Sequence, residues 1–166
     1  RAGRMPVRRS PRWSRIERDA RETYGELIAG IDEVGRGPLA GPVVACAIIM
    51  PATGRRIAGI DDSKRLSAID REALVDEIRA RALALGVGAA SAREVDRLNI
   101  YHATTTAMRR ALTRLGVTPD HVIVDGKPIR TLGVTHTAVV GGDGKCYAVA
   151  CASIVAKVTR DRLMTR

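Results

Sequence analysis

Short apolar runs bounded by turn residues predict the strands of a β-sheet. Residues 27–32 and 43–50 are two such runs, with a glycine- and proline-rich segment between them. Residues 87–92 form a third run, and residues 121–124 and 135–140 follow later in the chain. Apolar runs of this length between turn residues are typical of buried strands.

Apolar residues at helical spacing predict three helices between and after these strands. Ser67 begins a capping sequence, and the apolar face that follows continues until Gly86 ends the helix. The cleanest periodic signal covers residues 100–115, and a last helix is expected over about residues 147–163. Because strands and helices alternate along the chain, the pattern indicates one α/β domain.

Composition is consistent with a single domain that has an aliphatic core. The chain has 166 residues, of which 45% are hydrophobic and only 2% aromatic. No apolar run approaches the roughly 18 residues that a membrane span needs. Cys46, Cys146 and Cys151 form no CxxC pair, which indicates reduced, buried thiols and a cytoplasmic protein.

The charge balance favours a polyanionic partner without deciding the function. The formal net charge is +10, and such a balance is typical of proteins that bind nucleic acid. Residues 1–27 hold eight arginines against four acidic residues, so they are predicted to be a basic, disordered arm before a domain of residues 28–166. A charged stretch is more often an ordinary solvated face, and charge alone therefore leaves both interpretations open.

Acidic residues follow three of the predicted strands. Asp32 ends the first strand, Asp125 ends "VIVDG", and Asp143 follows a strand in "VVGGDGK"; α/β sheets place ligands at such strand ends. Asp-Gly and "GGDG" are also ordinary turn sequences, and for either motif alone the turn is the better interpretation. Together with Glu33 these acids could converge, and divalent cations would then neutralise their repulsion. Oxygen ligands without His or Cys favour Mg²⁺ or Mn²⁺, the ions of two-metal phosphoryl transfer.

Two further segments have residues suited to phosphate. Arg36 lies between Gly35 and Gly37; glycines let backbone amides approach a ligand closely, and an arginine side chain binds phosphate. Lys64 lies in the loop "DDSKRLS". Either segment is equally compatible with a solvated surface turn.

The ordered series of these motifs resembles bacterial ribonuclease HII from Ile28 to Met164. The resemblance implies an α/β, RNase H-like fold in which a mixed five-stranded sheet is flanked by helices. It also implies an endoribonuclease that cuts the RNA strand of RNA/DNA hybrids and cuts 5′ to single ribonucleotides in duplex DNA. The motifs that carry the resemblance are "IDEVGRGPLAGPVVACAII", "DDSKRLS", "LNIYHATTTAMRRAL", "VIVDG", "VVGGDGK" and "ASIVAKVTRDRLM".

The resemblance also implies roles for individual residues. In this family four acidic residues are catalytic and bind two Mn²⁺ or Mg²⁺ ions. They fall on Asp32, Glu33, Asp125 and Asp143. Its turn that senses the ribose 2′-hydroxyl falls on Gly35, Arg36 and Gly37, and further substrate-binding positions are Lys64, Asn99 and Thr104. The expected partners are RNA/DNA hybrid and ribonucleotide-containing duplex DNA, bound by a cytoplasmic monomer without an obligate protein partner.

Two departures from the family leave alternatives open. Gly141 and Gly142 stand where the family commonly has a lysine beside the fourth acid. The family also continues beyond the position of Arg166 into a segment whose tyrosine packs against the junction nucleotide, so this chain is expected to lack that C-terminal end. A hybrid-binding module with little catalysis is therefore the alternative function. A different RNase H-like nuclease, such as a resolvase or transposase, fits the acids but not the Gly35–Gly37 turn.

Overall fold

One mixed five-stranded sheet forms the centre of the computed structural model, which describes residues 13–37 and 40–166. The strand order is β3-β2-β1-β4-β5, with β1 antiparallel to β2, β2 antiparallel to β3, and β4 parallel to both β1 and β5. The predicted fold class, α/β with a mixed five-stranded sheet, is confirmed. The strands are β1 (Ile28–Val34), β2 (Val43–Ile49), β3 (Ala84–Ala90), β4 (His121–Asp125) and β5 (His136–Val139).

Helices cover both faces of the sheet. The longest, α3, packs on one face against β1, β2 and β3, while α4 packs on the other face with α2 beside it. Two single turns of 3₁₀-helix lie at Ser63–Arg65 and Gly142–Gly144. The helices are α1 (Ile16–Tyr24), α2 (Ala68–Arg81), α3 (Ala92–Thr113) and α4 (Tyr147–Met164).

The central strand β2 is buried along its whole length because it lies between the two helical layers. Successive side chains of a strand point to opposite faces, and accordingly Ala45 packs in the cluster with α3 while Cys46 packs in the cluster with α4. The layers lie very close to the sheet. A Cβ added at Gly88 would meet the backbone oxygen of Ala107 in α3. All three cysteines are free and buried, as predicted.

The predicted boundary between the second helix and the third strand is wrong. The helix α2 ends at Arg81, and Gly86 lies inside β3 instead of ending a helix. Strand β3 runs from Ala84 to Ala90 because all seven of its residues pair with β2. Helix α3 also begins at Ala92, eight residues earlier than predicted. Its start is capped by the Ser91 hydroxyl, which accepts a hydrogen bond from Glu94 N at 3.2 Å.

The prediction of a disordered arm over residues 1–27 is wrong for residues 16–24, which form α1. Ala20 packs against Ile28 and Ile123 of the sheet, and Ile16 packs against the same cluster. Packing of one apolar face stabilises a helix whose composition is mostly charged. The first 12 residues of the predicted arm lie outside the described residues.

Candidate active site

Three acidic side chains meet at one edge of the sheet. Asp32 lies in β1, Asp125 is the last residue of β4, and Asp143 lies in the turn that follows β5. Strands β1 and β4 are parallel neighbours, so their carboxyl ends reach the same edge. One carboxylate oxygen from each of the three side chains lies within 4.8 Å of the others. These three residues are named the acidic triad below.

Glu33 lies beside the triad and on the other face of β1. Asp32 pairs with Cys46 of β2, whose side chain packs towards α4, and the next residue of a strand points to the opposite face. Glu33 Oε1 lies 3.6 Å from Arg36 Nη1. Its second oxygen, Oε2, is buried and has no hydrogen-bond partner among the described residues. Glu33 thus has one carboxylate oxygen available for a ligand.

Burial and mutual repulsion make the negative charge of this site costly. Burial raises the pKa of Asp32 well above its usual range, and the nearby Glu33, Asp125 and Asp143 raise it further. The pKa of Asp143 rises to about 6, first through burial and then through Asp125. Burial also raises the pKa of Glu33, although the Arg36 guanidinium opposes that rise. A bound cation would relieve this repulsion as a proton does.

Backbone groups fix the orientation of the triad. Asp32 Oδ1 accepts a hydrogen bond from Glu33 N at 2.8 Å. Asp125 Oδ1 accepts one from Gly142 N at 2.5 Å, which joins the end of β4 to the turn that carries Asp143. The third carboxylate is therefore held against the first two by the chain itself.

A cleft of about 340 Å³ opens over the triad, with basic side chains on its wall. Lys64 is positioned there by the Ser63–Arg65 turn, whose preceding residue Asp62 accepts a hydrogen bond from Lys64 N at 3.0 Å. A cleft that offers carboxylates to a cation and cationic groups to an anion suits a metal-bound phosphodiester. Its lining residues are Asp32, Glu33, Val34, Ser63, Lys64, Arg71, Asp125, Asp143, Ser153 and Lys157.

A second cleft of about 450 Å³ adjoins the first, because Glu33 and Asp125 line both. Arg36 and Thr104 also line this second cleft. The Thr104 hydroxyl donates a hydrogen bond to the Ile100 carbonyl at 2.7 Å. This second cleft contains a guanidinium and several hydroxyl groups next to the carboxylates, as recognition of a sugar and its phosphate requires.

The remaining predicted substrate-binding residues, Gly35, Gly37 and Asn99, do not line these two clefts. The Gly35–Gly37 turn lines a hollow against the start of α3. Gly35 has φ +104°, and a Cβ there would meet the Pro42 carbonyl, so this glycine is required by packing. Asn99 lines none of the three hollows described above. It interrupts α3 with φ +67°, and its side chain accepts a hydrogen bond from His102 N at 3.1 Å, which caps the second part of the helix.

Sequence reasoning did not single out Asp62, beside the first cleft, or four polar residues that line it, namely Ser63, Arg71, Ser153 and Lys157. The Ser63 and Ser153 hydroxyls share a hydrogen bond of 2.8 Å although they are 90 residues apart. Asp62 lies close enough to Asp143 to raise the pKa of its carboxyl group. The motif "DDSKRLS" contains Asp62 and Ser63 and could have indicated them, whereas no local signal marks Ser153.

Comparison with solved structures defines the class of the protein. Ribonuclease H2 of Pyrococcus horikoshii matches with a TM-score of 0.72 at 30% identity, covering 83% of this chain and 74% of that one. The RNase HII of Archaeoglobus fulgidus, solved in a complex with PCNA, has a TM-score of 0.72 at 30% identity, with coverages of 84% and 75%. The Bst-RNase HIII structure in complex with Mn²⁺ shares the fold at 22% identity and a TM-score of 0.71, with coverages of 88% and 56%. The chain has an RNase H-like fold.

Sequence comparison assigns the family within that class. The family model described as ribonuclease HII matches residues 29–166. The ribonuclease HII of Granulibacter bethesdensis is 52% identical over 156 residues, covering 92% of this chain and 69% of the relative. The ribonuclease HII of Burkholderia mallei is 52% identical over 140 residues, covering 84% of this chain and 65% of the relative. The chain belongs to the ribonuclease HII family and spans about two thirds of the length of these relatives.

Within the described residues, no helix is both long and apolar enough to cross a bilayer.

Proposed function

We propose that the chain is a metal-dependent endoribonuclease that cuts the RNA strand of RNA/DNA hybrids and cuts 5′ to single ribonucleotides in duplex DNA. The observation that carries this proposal is the acidic triad, whose carboxylate oxygens lie within 4.8 Å of one another. Membership of the ribonuclease HII family supports the same reaction class.

Two Mn²⁺ or Mg²⁺ ions are the proposed cofactors, held by Asp32, Asp125 and Asp143 with Glu33 completing the ligand set. The donor set fits such ions because it consists only of carboxylate oxygens, which hard divalent cations prefer. Glu33 Oε2, which has no hydrogen-bond partner in the described part of the chain, is a further oxygen available to an ion. When bound, the ions would neutralise the developing charge of the phosphoryl group and lower the pKa of the attacking water.

The basic wall of the first cleft would hold the phosphodiester. Lys64, Arg71 and Lys157 line this cleft together with the triad. Arg71 Nη1 donates hydrogen bonds to the Ser63 and Leu66 carbonyls at 2.8 and 2.6 Å, so its guanidinium is fixed in place. A cationic wall of this kind binds the phosphate and orients it, while the carboxylates opposite bind the metal.

The second cleft would recognise the ribose. The 2′-hydroxyl is the group by which a protein distinguishes RNA from DNA. Arg36 and Thr104 line this cleft beside Glu33 and Asp125. The Gly35–Gly37 turn would contribute backbone amides. A Cβ at Gly37 would meet no heavy atom of residues 13–37 or 40–166 within 4 Å, which leaves room for a ligand. The proposed substrates are thus RNA/DNA hybrid and ribonucleotide-containing duplex, bound by the chain as a monomer.

The test is a cleavage assay on three labelled duplexes: a long RNA/DNA hybrid, a DNA duplex with one ribonucleotide, and an all-DNA duplex. With Mn²⁺ or Mg²⁺ the chain should cut the first two and leave the third intact, and EDTA should stop both reactions. The single-ribonucleotide duplex should be cut on the 5′ side of the ribonucleotide. Binding of hybrid without turnover would contradict the proposal and favour a binding module, while cleavage of all-DNA duplex would favour another RNase H-like nuclease.

A further inference from the structure

Helix α1 carries a buried acidic residue outside the two clefts. Glu17 is only 2% exposed, and it pairs with Arg21 at 3.2 Å on the same helix. Burial raises the pKa of Glu17, while Arg21 and the backbone N–H groups of Tyr147 and Ala148 oppose that rise. Burial of a carboxylate is costly unless it forms compensating interactions. Its partners therefore indicate what Glu17 does.

Those backbone partners are the first two residues of α4. The first N–H groups of a helix have no acceptor within the helix, and they favour a negative charge nearby. A capping side chain normally supplies the acceptor, but Cys146, at the N-cap position of α4, makes no capping hydrogen bond. Glu17 lies three residues after Ser14, whose backbone N–H donates a hydrogen bond to the Lys145 carbonyl at 2.8 Å, so the buried Glu17 carboxylate lies beside this helix start.

The start of α4 is joined directly to the turn that carries Asp143. Cys146 N donates a hydrogen bond to the Gly142 carbonyl at 2.7 Å, and Lys145 N donates to the same carbonyl at 3.0 Å. The Lys145 carbonyl also accepts a hydrogen bond from Ser14 N, just before α1, at 2.8 Å. The conformation of the Asp143 turn thus depends on where α4 begins.

The other end of this turn also contacts α1. Val139, the last residue of β5, packs in one buried cluster with Ala20 of α1 and with Cys146, and Ile16 packs against that cluster. Helix α1 therefore holds both ends of the segment between Val139 and Cys146, in which Asp143 is the only acidic residue. A shift of this segment would move one ligand of the triad relative to the two on the sheet.

We propose that Glu17 is a positioning residue of the metal site. Its carboxylate fixes the start of α4, and the start of α4 fixes Asp143 against Asp32 and Asp125. The inference rests on the proposed function, because it takes the triad to bind metal. Without the Glu17 charge, the Asp143 turn becomes less well fixed, and the ligand set is no longer preorganised for the cation.

The test replaces Glu17 with its neutral isostere and measures Mn²⁺ binding to the purified chain by calorimetry. Outer residues that orient metal ligands typically change metal affinity by about 10- to 100-fold. We expect Glu17→Gln to weaken Mn²⁺ binding by about tenfold or more. Glu22→Gln is the matched control, since Glu22 is exposed on the same helix, and it should leave Mn²⁺ affinity unchanged.

A second substitution separates positioning from stability. Cys146 has φ −115° and ψ 124°, an extended conformation that suits an N-cap, so Cys146→Ser introduces a capping hydroxyl. In the Glu17→Gln background it should restore part of the lost Mn²⁺ affinity. If Glu17→Gln does not fold, Glu17→Asp, which keeps the charge on a shorter side chain, takes its place in the calorimetry and should also bind Mn²⁺ more weakly.

The outcomes distinguish this inference from the function on which it rests. A lower free energy of unfolding with unchanged Mn²⁺ affinity, in Glu17→Gln or in its replacement Glu17→Asp, would overturn the positioning role and leave the metal site standing. Failure of the unsubstituted chain to bind Mn²⁺ would overturn the proposed function itself. If Glu17→Gln weakens Mn²⁺ binding and the added Cys146→Ser restores part of the lost affinity, both the positioning role and the metal site are supported.

Discussion

At the residue scale, the two neighbouring acids of β1 differ in what they line because they lie on opposite faces of one strand: Asp32 lines the first cleft, whereas Glu33 lines both. Asp32 joins Asp125 and Asp143 within 4.8 Å, whereas Glu33 is 3.6 Å from Arg36. Their adjacency in the sequence had indicated one shared cluster. Strand geometry gives Asp32 a central place in the triad and makes Glu33 the link between the first cleft and the second.

Asp125→Asn should abolish cleavage while leaving the fold intact. The amide oxygen of asparagine can still accept the hydrogen bond that Gly142 N donates at 2.5 Å, but the charge that holds the metal is lost. Metal ions stabilise the phosphoryl transition state by several kcal/mol, and about 1.4 kcal/mol corresponds to tenfold in rate. We expect single-turnover cleavage of hybrid to fall by several powers of ten, with unchanged circular dichroism. A cleavage rate within tenfold of that of the unsubstituted chain would contradict the role of Asp125. The control is Asp76→Asn, on the exposed face of α2.

Arg36→Ala should weaken substrate binding through the loss of one phosphate contact. The Arg36 side chain is 50% exposed and lines the second cleft, so the part of its guanidinium that does not face Glu33 can reach a phosphate group. Each phosphate contact contributes about 0.9 to the slope of log K against log salt. Titration of hybrid at several salt concentrations should show a slope reduced by about one. The control is Arg81→Ala, which removes an arginine of similar exposure from its ion pair with Glu77. It should change neither the affinity for hybrid nor the slope against salt. An equal effect of both variants would show that Arg36 acts only through net charge.

At the element scale, sequence patterns predicted most strands but not every boundary. Apolar runs bounded by turns located β1, β2, β4 and β5 to within one or two residues, because burial between two helical layers requires continuous apolar residues. Leu85 fits both the helical spacing of α2 and the apolar run of the strand that follows. Its pairing with β2 places it in the strand. Helix α1 was missed because one small apolar face lies among many charged residues. These errors have one cause, namely that tertiary contacts outweighed local composition.

The candidate site, like the fold, could be predicted from the sequence only in part. The acids at strand ends could be predicted to converge because the carboxyl ends of parallel strands meet at one edge. The Ser63–Ser153 hydrogen bond and the proximity of Glu17 to the start of α4 could not be predicted, since each brings together residues far apart in the sequence. Asn99 was expected at the substrate, and its observed helix-capping bond to His102 N depends on a positive φ that a sequence pattern does not indicate.

Gly88→Ala should lower stability by disturbing the contact between β3 and α3. A Cβ at this position would meet backbone atoms of Ala107 and Ala111, and backbone atoms of a helix cannot move aside as a side chain can. Overpacking of this kind typically costs about 1–3 kcal/mol. Urea unfolding should show the loss, while Gly144→Ala, whose Cβ would meet no atom of the described part of the chain within 4 Å, should unfold almost as the unsubstituted chain does. Equal stability of the two variants would mean that α3 lies further from the sheet than the structure places it.

At the scale of the whole molecule, a cluster of buried carboxylates lies within a chain of net positive charge. The chain carries a net charge of +10, which attracts a polyanion over distances of about a Debye length, roughly 10 Å at 0.1 M salt. The acidic triad within this basic molecule would repel the same polyanion unless cations neutralised it. Metal binding and nucleic-acid binding should therefore be positively coupled, since each ligand screens the charge that opposes the other.

The same buried charge should make the stability of the metal-free protein depend on pH. The folded-state pKa values of Asp32 and Asp143 lie above their usual range, that of Asp143 at about 6, so the folded state binds more protons than the unfolded state does. Its stability should therefore fall as the pH rises through about 6 and recover on acidification from about pH 8 to about pH 5.5. The lowered pKa of His121 acts in the opposite direction, and comparison with Asp143→Asn isolates the carboxylate contribution.

Urea unfolding in EDTA should accordingly show a larger gain on acidification for the unsubstituted chain than for Asp143→Asn. Saturating Mn²⁺ at about pH 8 should replace the stabilising protons and increase the free energy of unfolding by an amount set by its concentration relative to Kd. This increase should be much smaller in Asp143→Asn, because a ligand of the ion has been removed. If the two chains showed the same pH dependence and the same response to Mn²⁺, the negative charge of Asp143 would not be part of a cation site.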